Sequence, residues 1–262
     1  MNEKVSIRLI GGIGNNLFQI ACAYAYSLKH NKDLVLKNEK FGTTHNALDT
    51  YKDNLLSNVK FEECNYNDFT VYNESIFNYQ KIENIEGNVL LNGYFQSEKN
   101  FKEYEKEVRL LFSYPEEYQN KIKEKYKDIL SQNTCSIHIR RGDYLKSPDH
   151  HPVVSLNYIM KSVRQMPEDS VFLVMSDDMD WCKKNLPNIA EKFIFIENNP
   201  DYEDLYLMSL CNNNIISNSS FSWWGAWLNK NENKKIIAPS KWFGKAINHN
   251  TKDLIPETWI NV

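Results

Sequence analysis

From residue 135 to residue 238, five short apolar runs alternate with four segments of helical periodicity, and this alternation constrains the fold more than any other feature. The runs Cys135–Ile139, Val171–Met175, Phe193–Ile196, Asn214–Ser217 and Lys235–Ala238 are predicted strands. Leu156–Met166, Asp180–Leu186, Tyr202–Cys211 and Phe221–Asn229 are the helices predicted between them. Strands regularly separated by helices imply a parallel sheet with right-handed crossovers. The amino-terminal half opens in the same way. Val5–Ile10 is β-rich, and Gly11-Gly12-Ile13-Gly14-Asn15 holds three of the nine glycines. Asn16–Lys29 then sets Leu17, Ile20, Ala21, Tyr24, Ala25 and Leu28 on one helical face. Leu34–Leu36 and Val89–Leu91 continue as strands, and Phe101–Phe112 and Glu116–Leu130 read as charged surface helices. Residues 40–88, polar and rich in Asn, read as loops with short elements. The expected architecture is α/β, with two Rossmann-like halves facing a cleft and a boundary near residue 130.

Composition narrows the function class. A chain of 262 residues makes one large or two small domains, and its 25% charged residues are ordinary for a soluble enzyme. The net charge of −3 argues against a protein held to nucleic acid by bulk positive charge. No apolar run reaches the roughly 18 residues of a spanning helix. Met1-Asn2-Glu3-Lys4-Val5 leads directly into a strand, so no signal peptide is expected. Cys22, Cys64, Cys135, Cys182 and Cys211 are scattered, with no CxxC and no Cys/His cluster, as expected of reduced cytosolic thiols.

Three segments carry chemistry. The first is the glycine loop, where glycines permit positive φ, let a ligand approach the backbone, and leave helix N–H groups facing the loop. It lacks the spacing of a dinucleotide fingerprint and the GK[ST] of a P-loop, so a plain tight turn remains the competing reading. In the second, the strand Cys135–Ile139 runs into Arg140-Arg141-Gly142-Asp143-Tyr144. Alternation puts Ser136, His138 and Arg140 on one face, with Ile137 and Ile139 on the other. Paired guanidiniums at a strand end match phosphate or carboxylate oxygens bidentately. The bland alternative is a surface ion pair between Arg141 and Asp143, and His138 could equally be a satisfied core histidine. The third is Ser217-Asn218-Ser219-Ser220-Phe221-Ser222, followed by Trp223, Trp224 and Trp227. Its hydroxyls and helix N–H groups suit phosphate oxygens, one Ser is explained by capping, and the tryptophans are expected in the core. Ser176-Asp177-Asp178 opens a further helix, where an aspartate either caps the helix or meets a ligand. No further acidic partner stands at metal-ligand spacing.

Together these segments resemble the α-1,2-fucosyltransferases of bacterial surface-polysaccharide and oligosaccharide synthesis, glycosyltransferase family 11. The likeness rests on Gly11–Asn15 with Leu17-Phe18-Gln19, His138 through Tyr144, Ser176-Asp177-Asp178, and Ser217 through Trp227. Asn16 departs from the family, which usually has Gln there, and residues 40–88 match no motif. The resemblance implies a GT-B fold, with 1–130 as the acceptor-side domain and 131–262 binding the GDP-sugar, the last residues free to pack back on the first domain. It implies GDP-β-L-fucose as donor and inverting transfer to O2 of a terminal β-galactoside, with no cofactor and no obligatory metal. The acceptor is a galactose-terminated glycan, free or lipid-linked, and the enzyme is cytoplasmic, either free or peripheral at the inner membrane. By the same resemblance Arg140 holds the β-phosphate, His138 lies near the nucleoside end, and Gly12, Gly14 and Asn15 line the cleft near fucose and pyrophosphate. Ser219, Ser220 and Ser222 complete the phosphate pocket, Asn218 and Phe221 belong to the GDP-fucose site, and Asp177 or Asp178 contacts guanine or ribose. Arg141 ranks behind Arg140, bracing the loop through Asp143. The acceptor's proton needs a base; Asp149 is the nearest carboxylate, with His150 or His151 behind it.

Overall fold

The structure, a computed structural model, describes residues 2–38, 40–41, 48–190 and 192–262. The chain divides into two compact units, Met1–Glu116 with His249–Pro256, and Glu117–Asn248 with Glu257–Val262. The division falls before residue 130 because the helix after Glu116 is tied into the second unit. Lys125 pairs with Glu203 at 2.8 Å, and Tyr126 Oη donates to Asn199 Oδ1 at 2.8 Å. The segment that returns to the first unit is 249–256, whereas the final residues 257–262 stay with the second.

The first unit contains β1 (Lys4–Ile7), β2 (Leu9–Ile10), α1 (Ile13–His30), β3 (Asp33–Leu34), β4 (Lys40–Phe41), β5 (Phe69–Asn73), β6 (Asn88–Asn92) and α2 (Glu105–Leu111). Its parallel sheet has the order β3-β1-β6-β5, with β2 and β4 pairing separately. Contrary to the single apolar face expected, α1 is buried all round from Asn16 to Ala23 while Leu28 is exposed, and Asn31 ends the helix in the left-handed conformation. This helix starts at Ile13, earlier than its apolar spacing predicts, so Gly14 and Asn15 lie in its first turn. Within 40–88, residues 42–47 lie outside the described residues; beyond them Leu48, Tyr51, Leu55 and Leu56 are buried, so this stretch contributes core as well as loops.

The second unit opens with α3 (Glu116–Lys125) and α4 (Lys127–Leu130). It continues through β7 (Thr134–Ile139), α5 (Leu156–Val163), β8 (Val171–Ser176), α6 (Met179–Asn185), β9 (Phe193–Phe195), α7 (Asp201–Leu210), β10 (Asn213–Ile215), α8 (Ser220–Trp227), β11 (Ile236–Ala238) and β12 (Ile260–Asn261). All neighbours are parallel, in the order β12-β11-β10-β7-β8-β9. One face of the sheet buries Cys135, Ile137, Ile139, Phe172 and Val174 against Ile159 of α5 and Cys182 of α6. On the other, Ser136 Oγ accepts from Asn214 Nδ2 at 2.7 Å, a buried polar link satisfied on both sides. Trp223 and Trp224 are fully buried and meet edge-to-face at 5.1 Å, which gives the tryptophans their expected packing role.

The strand order places the candidate site. From β7 the chain builds outward through β8 to β9 on one side, then returns through β10, β11 and β12 on the other. The order therefore reverses between β7 and β10, and ligand crevices in such sheets lie beyond the strand C-termini at that reversal.

Candidate functional site

In the first unit the chain leaves β2 through Gly11, whose φ is +81° and where a Cβ would sit 2.4 Å from Asn15 Nδ2; only glycine takes that position without strain. Gly12 is the N-cap of α1 and, having no side chain, supplies no side-chain cap to the helix's first N–H groups. Gln19, fully buried, ties this turn together. Its Oε1 accepts from Ile10 N at 3.0 Å and Asn16 Nδ2 at 3.1 Å, while its Nε2 donates to Gly93 O at 3.0 Å. The glycine turn is thus bolted to the exit of β6. Asn16, also buried, donates to Ile10 O at 3.2 Å and is part of this scaffold. Asn15 Oδ1 accepts from Gln96 Nε2 at 2.7 Å, which fixes the amide's orientation. Glu74 caps the same exit, accepting from Tyr94 N and Phe95 N at 2.7 and 3.0 Å; burial pushes its carboxyl above the ordinary range despite those bonds. Gln19, Gln96 and Glu74 are not evident as site residues in the sequence, although a Gln and an Asn on the apolar stripe of α1 are the kind of buried polar pair that signals a scaffold.

In the second unit the C-termini of β7, β8 and β10 bring together Arg140, Asp177 and the 217–222 turn. His138 Nδ1 lies 3.0 Å from Ser217 Oγ across the reversal point, and its ring meets Phe221 at 5.3 Å. Burial first, and the Arg140 charge second, push this imidazole down to about 3, so it is neutral. Arg140 Nε donates to Asp143 Oδ1 at 2.8 Å and lies 3.2 Å from Asp177 Oδ2. Burial disfavours its charge, but the bond to Asp143 and the field of Asp177 outweigh that and hold the guanidinium charged. Among the described residues both of these ionic contacts are made at Nε, and the guanidinium also carries the paired Nη donors of its fork.

Arg141 is not paired with Asp143, as the sequence suggests. It turns toward α6, where Nε donates to Asp178 Oδ2 at 2.9 Å and Cζ lies 3.9 Å above the Trp181 ring. The reason is the tight turn at 143–146, which brings residue 143 back under residue 140 and leaves 141 facing the next strand's exit. Both aspartates are engaged by the protein. Asp177 accepts from Arg141 N at 2.8 Å and Gly142 N at 3.1 Å, clamping the turn, and Asp178 caps α6 by accepting from Trp181 N at 3.3 Å.

In the serine cluster, Ser217, Asn218 and Ser222 are buried and hydrogen-bonded inward. Ser222 Oγ donates to Ser219 O at 3.1 Å, and Asn218 Nδ2 reaches Pro152 O and Trp242 O, both at 2.9 Å. Ser219 occupies the N-cap of α8 without a side-chain cap bond, and Ser220 and Phe221 are half-buried beside it. Asp149 is exposed, its carboxylate 3.3 Å from Lys245. Among the described residues, no group of three or more His, Cys, Asp or Glu is placed to hold a metal ion. Nor, among the described residues, is any helix long and apolar enough to cross a membrane.

A model of glycosyl transferase family 11 matches residues 43–262. The chain is 35% identical to an α-1,2-colitosyltransferase of Escherichia coli, the match covering 98% of each chain. It is 29% identical to the O-antigen biosynthesis glycosyltransferase WbnK, also of Escherichia coli, over 97% of this chain and 99% of that one. Among solved structures, the α-1,6-fucosyltransferase NodZ, soaked with GDP-fucose, superposes with a TM-score of 0.52 at 14% identity, covering 87% of this chain and 93% of that one. That likeness shows the fold, which is of the GT-B type.

Proposed function

The chain belongs to glycosyl transferase family 11, and we propose that it transfers L-fucose from GDP-β-L-fucose to the 2-hydroxyl of a terminal β-galactoside, inverting the anomeric centre. The observation that carries this reading is the charged Arg140 guanidinium, held by Asp143 and Asp177 at the C-terminus of β7, beside the reversal of strand order. Breaking the bond between sugar and phosphate leaves negative charge on the diphosphate while the sugar becomes oxocarbenium-like. A preorganised guanidinium aimed at the β-phosphate stabilises that charge as it develops, the job a metal does in other transferases, so no metal is required. Ser219, Ser220 and the first N–H groups of α8 supply neutral donors to the same oxygens. Neutral His138, braced by Ser217, forms the floor beneath them. The first unit, with Gly12, Gly14 and Asn15, is assigned to the sugar and acceptor. In this reading the enzyme acts in the cytoplasm on a free or lipid-linked glycan.

The α-1,2-colitosyltransferase relative favours a second donor, GDP-colitose, whose sugar is fucose lacking the 3-hydroxyl. Both readings share the linkage. Incubating the protein with each GDP-sugar and a panel of β-galactosides, without added metal and with EDTA, and reading products by mass decides between them. A mass increase of one fucose supports the first reading, and transfer of colitose alone the second. Tight GDP binding with no transfer from either donor would mark a non-catalytic binding protein.

A further inference from the structure

His151 is joined to the Arg140 turn by packing as well as by the chain. Its ring stacks on Tyr144 at 4.9 Å and 21°, and meets the Phe243 ring at 5.9 Å, tilted by 53°. Tyr144 in turn lies beneath the Arg140 guanidinium, 5.8 Å from its centroid, and its hydroxyl donates to Asn218 O at 3.0 Å. The loop carrying His151 is fastened on three sides. His151 N donates to Ser147 O at 2.9 Å, Gly244 N to His150 O at 2.8 Å, and Asn218 Nδ2 to Pro152 O at 2.9 Å. Gly244 lies so close to this loop that a Cβ there would be 2.3 Å from Asp149 O. The position of the ring is therefore built, and it shares the Tyr144 ring with the guanidinium assigned to the leaving group.

We propose that His151 is the base that takes the proton of the acceptor hydroxyl, in preference to the solvent-exposed Asp149. In the step, the hydroxyl proton passes to a ring nitrogen of neutral His151 as the acceptor oxygen forms its bond to the anomeric carbon. The bond from that carbon to the β-phosphate oxygen breaks, and its electron pair leaves on GDP beside Arg140. The groups facing the imidazole are Arg140, Asp143, His150 and the Tyr144 and Phe243 rings, while Asp149 and Lys245 on the adjoining segment pair with each other. Burial lowers the affinity of His151 for a proton; Asp143 opposes this, and His150 and Arg140 reinforce it, so the ring is neutral over the range where a base must be. The proposal rests on the transfer reading above.

His151→Phe keeps the stack on Tyr144 and removes both nitrogens; His151→Asn is the second variant, should the first fail to fold. The tests are kcat for transfer, its pH profile, and the Kd for GDP. The expected result is a loss of kcat of about 10²–10³-fold, disappearance of the acidic limb of the kcat profile, and a GDP Kd within about threefold of wild type. An acidic limb kept by both variants with near-normal kcat overturns the proposal, as does a limb abolished by Asp149→Asn, or a kcat loss matched by an equal loss of GDP affinity. Wild-type protein that binds GDP but transfers no sugar overturns the functional reading, and this proposal with it.

Discussion

His138 Nδ1 and Ser217 Oγ, 3.0 Å apart, join the ends of β7 and β10 at the one place in the second sheet where strand order reverses. The pair holds the Arg140 strand end and the serine turn at a fixed separation, so the donors of both strands face the same place. Because the imidazole is buried and lies next to Arg140, the pair is made by a neutral ring.

Acid should therefore weaken the fold through His138. Its folded-state pKa, about 3, is depressed from 6.5, so the unfolded chain binds the proton first. The stabilising effect is complete above about pH 6.5 and is lost progressively as pH falls toward 3. Chemical denaturation of His138→Phe between pH 7 and pH 4 should show a flatter decline than wild type, together with a loss of about 0.5–1.5 kcal/mol at pH 7, since Ser217 Oγ keeps its longer contact to Ser222 Oγ at 3.3 Å.

Arg141 should matter for stability more than for chemistry. Its bond to Asp178 and its stack on Trp181 join the β7 exit to the start of α6. Arg141→Ala should cost about 1–3 kcal/mol in urea unfolding. The kcat of the folded variant should fall much less than that of Arg140→Ala.

Gly244→Ala tests the loop that carries His151. A methyl group 2.3 Å from Asp149 O cannot be accommodated unless the main chain moves. Thermal unfolding should show a loss of about 1–3 kcal/mol, and transfer should fall while GDP binding is largely kept.

Gln19→Leu tests the scaffold of the first unit. It leaves Ile10 N and Gly93 O without their side-chain partner in a buried turn. A loss of about 1–3 kcal/mol or more follows from those two groups. Gln19→Glu should fare little better, since it can still accept from Ile10 N but cannot donate to Gly93 O as a carboxylate.

Much of this was legible in the residues because burial and periodicity coincide in the second unit. Cys135, Ile137, Ile139, Phe172 and Val174 alternate cleanly with the opposite face, so the strands emerge from pattern alone. Elsewhere the pattern carries too little signal. β5 is half-exposed, with Val71 43% accessible, and β3, β4 and β12 are two residues long; pairing rather than sequence makes them strands. The division of the chain near Glu116 depends on contacts of Lys125 and Tyr126 with residues 78 and 73 positions away, which no local reading contains. At the site, adjacency points to Arg141 and Asp143 as a pair, but the turn after β7 reverses the chain and gives Asp143 to Arg140. The fixing of the His151 loop through Gly244 and Asn218 is likewise long-range, so the residues offer His150 or His151 behind Asp149 as a base without choosing between them.

The most direct measurement compares initial rates of fucose transfer from GDP-fucose to a β-galactoside by wild-type protein and Arg140→Ala, with the linkage of the product read by NMR. An α-1,2 product and a fall in kcat of about 10²–10³-fold in a folded variant is the expected result, since the Nη edge of Arg140 is the charge assigned to the departing diphosphate. Near-normal transfer by folded Arg140→Ala would contradict it.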